Sequence, residues 1–164
     1  MQKIIRVDEE KKELLSEMGA DCYVLSDTLS DGFNANFVNI TQKQDKIVLF
    51  YGEKAVDLCK KYGADGVIVD LEAESIKNKM PELRKDLGKG KFVGAFTRNR
   101  RHESMLVSEA EPDFIVFKVW KEGFEQVKEL VNWYNDFFLI QSAVWVMDDD
   151  VFVEELNADF AIIS

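Results

Sequence analysis

The densest basic run in this chain is Thr97-Arg98-Asn99-Arg100-Arg101-His102, and the chemistry it suits is capture of an anion. A guanidinium presents paired planar donors that match phosphate oxygens, which makes Arg98 a candidate ligand-binding residue. The competing reading is a solvated loop in which Thr97 or Asn99 caps the next helix. Lys118 is the second basic candidate, because it follows the apolar run Phe114-Ile115-Val116-Phe117. An ammonium carried inward at the end of such a run needs a partner, which Asp70 or a bound anion would supply. Asp70 and Glu72 are the acidic candidates, two carboxylates able to hold magnesium against a substrate phosphate, since hard cations take oxygen ligands. His102 is the only histidine. No Ser-His-Asp or Cys-His constellation can be built convincingly around it, and it reads as a surface residue.

The elements that must position these residues are announced by a repeated junction, in which Ala-Asp or Pro-Asp opens into a short apolar run. It occurs at Ala20-Asp21, Ala64-Asp65, Pro112-Asp113 and Ala158-Asp159, with the aspartates 44, 48 and 46 residues apart. Each interval is about twice the length of a strand with its crossover helix. Each also contains another apolar run, at 46–50, 91–96 and 136–140, and one more, at 3–7, precedes the first junction. Eight strands are therefore expected. Helical spacing fills the gaps: Leu14, Leu15 and Met18; Ala55, Leu58, Cys59 and Tyr62; Ile76, Met80, Leu83 and Leu87; and Phe124, Val127, Leu130, Val131 and Tyr134. Pro81 suits a first turn, so a short turn followed by a helix over 81–87 is expected after Asp70. The polar connection 27–45, with its Asp31-Gly32 turn signal, reads as a mobile loop. Asp148, Asp149 and Asp150 read as caps of a helix beginning near Val151 rather than as a metal site.

Strands alternating with helices imply parallel pairing under a helical cover. A compact (βα)8 TIM-type barrel of one domain, 1–164, fits the two-unit repeat, and an open doubly wound parallel sheet is the alternative. The sequence ends at Ser164, directly after the eighth strand, so the last helix is missing and the outer faces of the first and last strands are expected to need another cover. Active sites of such barrels gather at the carboxyl ends of the strands. On this register Arg98, Lys118, Gln141, Ser142 and Ser164 are the ligand-binding candidates, with Asp70 and Glu72 as magnesium ligands.

Composition narrows the partners. Thirty-one acidic against 21 basic side chains give a formal charge of −10, which repels a nucleic acid backbone at long range. No apolar stretch approaches the roughly 20 residues that cross a bilayer, so no membrane partner is expected. The first residues lack the apolar core of a signal peptide, and the expected compartment is cytoplasmic. Cys22 and Cys59 read as reduced core thiols. Trp120, Trp133, Trp145, Phe137 and Phe138 are candidate contact surface for a homo-oligomer.

Gly63-Ala64-Asp65-Gly66-Val67-Ile68-Val69, followed by Val93-Gly94-Ala95-Phe96-Thr97 and Pro112-Asp113-Phe114-Ile115-Val116-Phe117, resembles thiamin phosphate synthase and its TenI-like relatives. The likeness covers strands three to eight and includes the helix segment Val56-Asp57-Leu58-Cys59. It implies an eight-stranded phosphate-binding barrel, and in the synthases a magnesium-assisted joining of a pyrimidine diphosphate to a thiazole phosphate. The family's functional residues do not carry over. Its Gln-x-Arg-x-Lys run is replaced by Leu25-Ser26-Asp27-Thr28-Leu29, its Asn-Asp pair falls near Glu53-Lys54, and its Ser-x-His becomes Phe96-Thr97-Arg98. Gln141-Ser142 stands where the family has a Gly-Gly phosphate turn, and Ser164 alone fits its family position. The expectation is a divergent barrel without synthase activity that binds a small phosphorylated or anionic ligand. The alternatives are an enzyme acting on another phosphorylated small molecule, and a non-catalytic protein-interaction module.

Overall fold

The structure is a computed structural model that describes residues 1–11 and 19–164. The expected stripe of Leu14, Leu15 and Met18 lies outside the described residues. Eight parallel strands close a barrel in sequence order: β1 (Gln2–Val7), β2 (Cys22–Ser26), β3 (Ile47–Tyr51), β4 (Gly66–Val69), β5 (Phe92–Thr97), β6 (Phe114–Val119), β7 (Gln141–Val146) and β8 (Phe160–Ile163). The ring is sealed by β1 against β8, where Ile4 lies opposite Ile162 and Ile5 opposite Ile163. Five α-helices occupy the connections among the described residues: α1 (Asp31–Lys43), α2 (Ala55–Tyr62), α3 (Ala73–Leu87), α4 (Arg101–Glu109) and α5 (Phe124–Phe137).

The pleat sorts each strand into two faces. Ile4, Cys22, Val24, Leu49, Ile68, Phe96, Phe114, Val116, Ala143, Trp145 and Ile162 fill the interior. The alternate residues, among them Leu25, Phe50, Val67, Ala95, Ile115, Phe117 and Val144, pack outward against Phe37, Cys59, Ile76, Met80, Val107, Val131 and Tyr134 of the helices. Gly94 faces inward for a steric reason, since a Cβ there would lie 2.3 Å from the Phe114 ring. One strand supplies no side chain so that its neighbour can supply a large one.

The repeated aspartates stitch neighbouring strands together. Asp65 Oδ2 accepts from the Val48 amide at 2.9 Å, Asp113 Oδ2 from the Val93 amide at 2.7 Å, and Asp159 Oδ2 from the Ser142 amide at 2.9 Å. Their own backbone amides donate to the carbonyls of Val48, Val93 and Ser142 at 2.8, 2.8 and 2.9 Å. Each of these three even-numbered strands thus begins with a two-way clamp on the strand before it.

Several expectations need correction. The segment read as a mobile loop contains α1, capped by Ser30, whose Oγ accepts from the Phe33 amide at 3.3 Å. Its buried face includes the polar Asn34 and Thr41, which hid the helical period, and Thr41 satisfies itself by donating to the Phe37 carbonyl at 2.6 Å. α3 runs from Ala73 with Pro81 inside it, held by the burial of Ile76 and Met80 before the proline and of Leu87 after it. A single 3-10 turn at Val153–Glu155 stands where a capped helix was expected. Asp148 instead accepts from the Lys121 amide at 2.7 Å, and Asp150 pairs with Lys121 Nζ at 3.7 Å. At the seam, Val7 and Ala161 are buried while Ile5 and Ile163 are half-buried, so the outer face there is less wet than expected.

The seventh strand is displaced by five residues from its expected place. Residues 136–140 end α5 and turn back, because Phe138 continues the helical period and stacks on Tyr134 at 4.9 Å. The true strand opens on the polar pair Gln141-Ser142, which resembles a turn rather than a strand.

Candidate functional site

At the carboxyl ends of the strands the barrel interior opens into a cleft of about 620 Å³ lined by Arg6, Asp8, Tyr51, Gly52, Glu53, Ile68, Asp70, Phe96, Lys118, Trp145 and Met147. Its volume falls in the range of small-molecule sites. Strand alternation places these side chains. Arg6 follows Ile4, Tyr51 follows Leu49, Lys118 follows Val116 and Trp145 follows Ala143 on the inward face, each at a step of two. The last inward position of a strand meets solvent, so a polar or amphipathic residue can end an apolar file there.

The floor is aromatic. Trp145 meets Tyr51 edge to face at 4.8 Å between centroids and Phe96 at 5.0 Å. Both cations of the cleft lie over this floor, Arg6 above the Trp145 ring at 5.0 Å and Lys118 Nζ above the Phe96 ring at 5.0 Å. Their surroundings differ. Arg6 Nε donates to Asp8 Oδ2 at 2.8 Å and its NH1 group to the Val146 carbonyl at 3.1 Å. The Tyr51 hydroxyl donates to the other oxygen, Asp8 Oδ1. Each oxygen of Asp8 thus has a partner within the cleft, Arg6 for one and Tyr51 for the other. Among the described residues, Lys118, Asp70 and Glu53 make no ion pair at all, although all three line the same cleft.

Burial pushes the Tyr51 hydroxyl up to about 12, with the hydrogen bond and charge of Asp8 adding to the rise. At neutral pH Tyr51 is a proton donor locked onto a carboxylate. Ser26 Oγ and Thr28 Oγ1, at 2.9 Å from each other, continue the polar rim beside it.

Gly52 shapes one wall. Its φ is +108°, and a Cβ there would lie 2.3 Å from Asp27 Cγ. Asp27 Oδ2 accepts from the Lys54 amide at 3.1 Å, so the β3–α2 turn folds down onto Asp27 and carries Glu53 to the rim.

The residues expected from the sequence divide into three groups. Lys118 and Asp70 meet in the cleft. Arg98 and Glu72 lie beside it in a second cavity of about 200 Å³ shared with Asp70, Glu103 and Arg100, and Arg98 also lines a pocket of about 470 Å³ together with Asp70 and Lys118. Arg98 is exposed there and only loosely paired, at 3.9 Å from both Glu72 and Glu103. Asp70 and Glu72 have no third acidic, cysteine or histidine partner among the described residues. A magnesium ion held by them would take its remaining oxygens from a substrate phosphate and water. Ser164 directly follows β8, beside Asp8, Glu9 and Lys11, on the β1 side of the mouth.

Gln141 and Ser142 form the third group and are a correction. They begin β7, at the amino end of the barrel, opposite the cleft. Ser142 is fully buried there, donating from Oγ to Asn135 Oδ1 at 3.1 Å. The misplacement follows directly from the displaced seventh strand. Arg6, Asp8, Tyr51 and Trp145 went unrecognised as site residues, and only the step-of-two files ending in Arg6, Tyr51 and Trp145 could have revealed them.

A scan against protein-family models finds no match, and a search of curated proteins finds none. Solved structures do match. One is a protein from Aquifex aeolicus VF5, with a TM-score of 0.71 and 15% identity over 98% of this chain and 81% of that one. Tryptophan synthase from M. tuberculosis matches at 0.70 and 11% identity, over 99% of this chain and 82% of the other. The 3-hexulose-6-phosphate synthase from Salmonella typhimurium matches at 0.61 and 17% identity, over 99% and 88%. The chain is a TIM-type barrel. At these identities the likeness shows the fold alone. The finer resemblance to thiamin phosphate synthases rests on the residues quoted above, with no family model behind it. No described helix is long and apolar enough to cross a membrane.

Proposed function

We propose that this TIM-type barrel is a divergent relative of the thiamin phosphate synthases, without synthase activity, that binds a small phosphorylated or otherwise anionic ligand in the cleft at the carboxyl ends of its strands. The observation that carries the reading is Lys118. Its ammonium sits over an aromatic floor, partly withdrawn from water, without a carboxylate partner among the described residues. A withdrawn, unpaired cation is costly unless a ligand compensates it. Arg6 cannot take the same part so readily, because Asp8 already neutralises it. A likeness in fold to a synthase whose name includes a sugar phosphate agrees with the reading without deciding it.

The test is thermal unfolding against inorganic phosphate, pyrophosphate, thiazole phosphate and simple alkyl phosphates, each with and without magnesium. A ligand that binds only the folded state raises the melting temperature through mass action. The expected result is a concentration-dependent rise with a phosphate monoester that Lys118→Ala abolishes. Absence of a rise with every anion would overturn the proposal. A magnesium-dependent rise with the thiamin precursors, together with turnover, would restore the synthase activity.

Turnover of another phosphorylated substrate is the second reading, favoured by the Tyr51–Asp8 hydrogen bond at the edge of the cleft. It separates from simple binding by product formation that Tyr51→Phe removes while binding persists.

A further inference from the structure

We infer that the ligand of the mouth cleft is a zwitterion, a small molecule carrying one anionic group and one amine. This deepens the reading of an anion held by Lys118 and rests on it. The argument starts from the charges that remain after internal pairing. Arg6 and Asp8 neutralise each other at 2.8 Å, and Tyr51 fills the second oxygen of Asp8. Within the lining of this cleft, what remains unpaired among the described residues is one cation, Lys118, and two carboxylates, Asp70 and Glu53. Arg98, in the pocket that adjoins at Lys118 and Asp70, already faces Glu72 and Glu103 at 3.9 Å.

That remainder is itself a pattern of recognition. A ligand with several negative charges, such as pyrophosphate, would satisfy Lys118 but bring its excess charge against Asp70 and Glu53, in a chain whose formal charge is already −10. A purely cationic ligand would leave Lys118 uncompensated. A molecule with an anion at one end and an ammonium at the other compensates Lys118 and one of the two carboxylates at once. Specificity then arises from both attraction and repulsion, because the carboxylates reject anions that lack the amine. The faces of Trp145 and Phe96 are already taken by Arg6 and Lys118, so the amine of the ligand is left to the carboxylates.

Calorimetric titration of the full chain in EDTA, with 2-aminoethyl phosphate and ethyl phosphate as matched probes, tests this directly. The two differ only in the amine. The aminoethyl ester is expected to bind at least about ten-fold more tightly. Asp70→Asn is expected to collapse that preference to under about three-fold while leaving ethyl phosphate bound as well or better, and Lys118→Ala to weaken both probes. Asp70 is exposed and its side chain makes no hydrogen bond or ion pair among the described residues, so the variant should fold, with circular dichroism as the check. Glu53→Gln is the second variant.

Equal affinity for the two probes would overturn the inference and leave the anion-binding function standing. Tighter binding of ethyl phosphate would also overturn it. So would a preference that survives both carboxamide variants, because the amine would then be held elsewhere. A gain for ethyl phosphate on adding magnesium, lost in Asp70→Asn and with no advantage to the amine, would replace the inference with a metal role for Asp70. Binding of neither probe would overturn the inference, and the thermal-unfolding panel of anions would then decide whether the proposed function stands without it.

Discussion

The three clamping aspartates at the amino end of this barrel serve structure, whereas at the carboxyl end Asp27 and Asp148 hold backbone amides and other carboxylates do not. At the amino end, Asp65, Asp113 and Asp159 spend their carboxylates on backbone amides of the preceding strands. At the carboxyl end, Asp70 and Glu53 line a cleft with no such partner among the described residues. The first set repeats at an almost fixed interval and is structural; the second does not repeat at all. In a fold assembled from similar units, periodicity marks what holds every unit together, while departures from it mark where the chain is free to bind.

Removing a clamp should therefore disturb stability far more than removing a cleft residue. Asp65→Ala leaves the Val48 amide without its side-chain acceptor, and Val48 is fully buried. The expected loss is about 1–3 kcal/mol in urea unfolding, while Lys118→Ala stays within about 0.5 kcal/mol. A clamp variant as stable as the parent would break the comparison.

Gly52 is the place where the carboxyl end acquires a structural requirement of its own. Gly52→Ala forces a Cβ against the Asp27 carboxylate at a φ of +108°. A cost of about 1–2 kcal/mol is expected, with weaker ligand binding as the β3–α2 turn lifts Glu53 away. Gly52→Ala combined with Asp27→Ala should recover part of that loss. If it recovers nothing, the strain lies in the dihedral angle alone.

Most of this architecture was legible in the sequence. The four junctions located β2, β4, β6 and β8, and in three of them the aspartate clamps the preceding strand from the position just before its own strand begins. The intervals then demanded the strands between them. β7 was misplaced because Phe137 and Phe138 look like strand residues, whereas the true strand starts with Gln141 and Ser142. That single error carried both residues to the wrong end of the barrel. α1 was hidden because Asn34 and Thr41 are buried polar residues, one of which satisfies its hydroxyl within its own helix. The cleft was half legible. Lys118 stood out at the end of an apolar run, but Arg6, Tyr51 and Trp145 become neighbours only when the ring closes, and no local spacing records that closure.

The pH response gives a test of the Tyr51–Asp8 contact at the carboxyl end. Tyr51 titrates near 12 in the folded protein, against an ordinary value of 10.0, through burial and the adjoining Asp8. Between these values the folded state keeps a proton that the unfolded chain has released. The contribution is thus fully present below the lower value and is lost as pH rises through the window. Unfolding free energies measured across that window should fall with pH in the parent and fall less in Tyr51→Phe. Equal slopes would mean that Tyr51 is neither withdrawn from water nor held by Asp8 in solution.

The smallest effect should come from the residue that dominates the sequence. Arg98 belongs to the densest basic run, yet it is exposed, and its two carboxylate neighbours stand 3.9 Å away, beyond hydrogen-bond distance. Loose surface pairs contribute little, because water screens them and side-chain entropy opposes them. Arg98→Ala is expected to change stability by less than about 0.5 kcal/mol and phosphate-monoester affinity by less than about three-fold. The same titration on Lys118→Ala should show a loss of about ten-fold or more. Reversal of that order would move the anion from the cleft to the adjoining cavity between α3 and α4, where Arg98 and Arg100 face Glu103. What decides between them is how far a charge is withdrawn from water, and in this barrel the lone lysine is withdrawn further than the cluster of arginines.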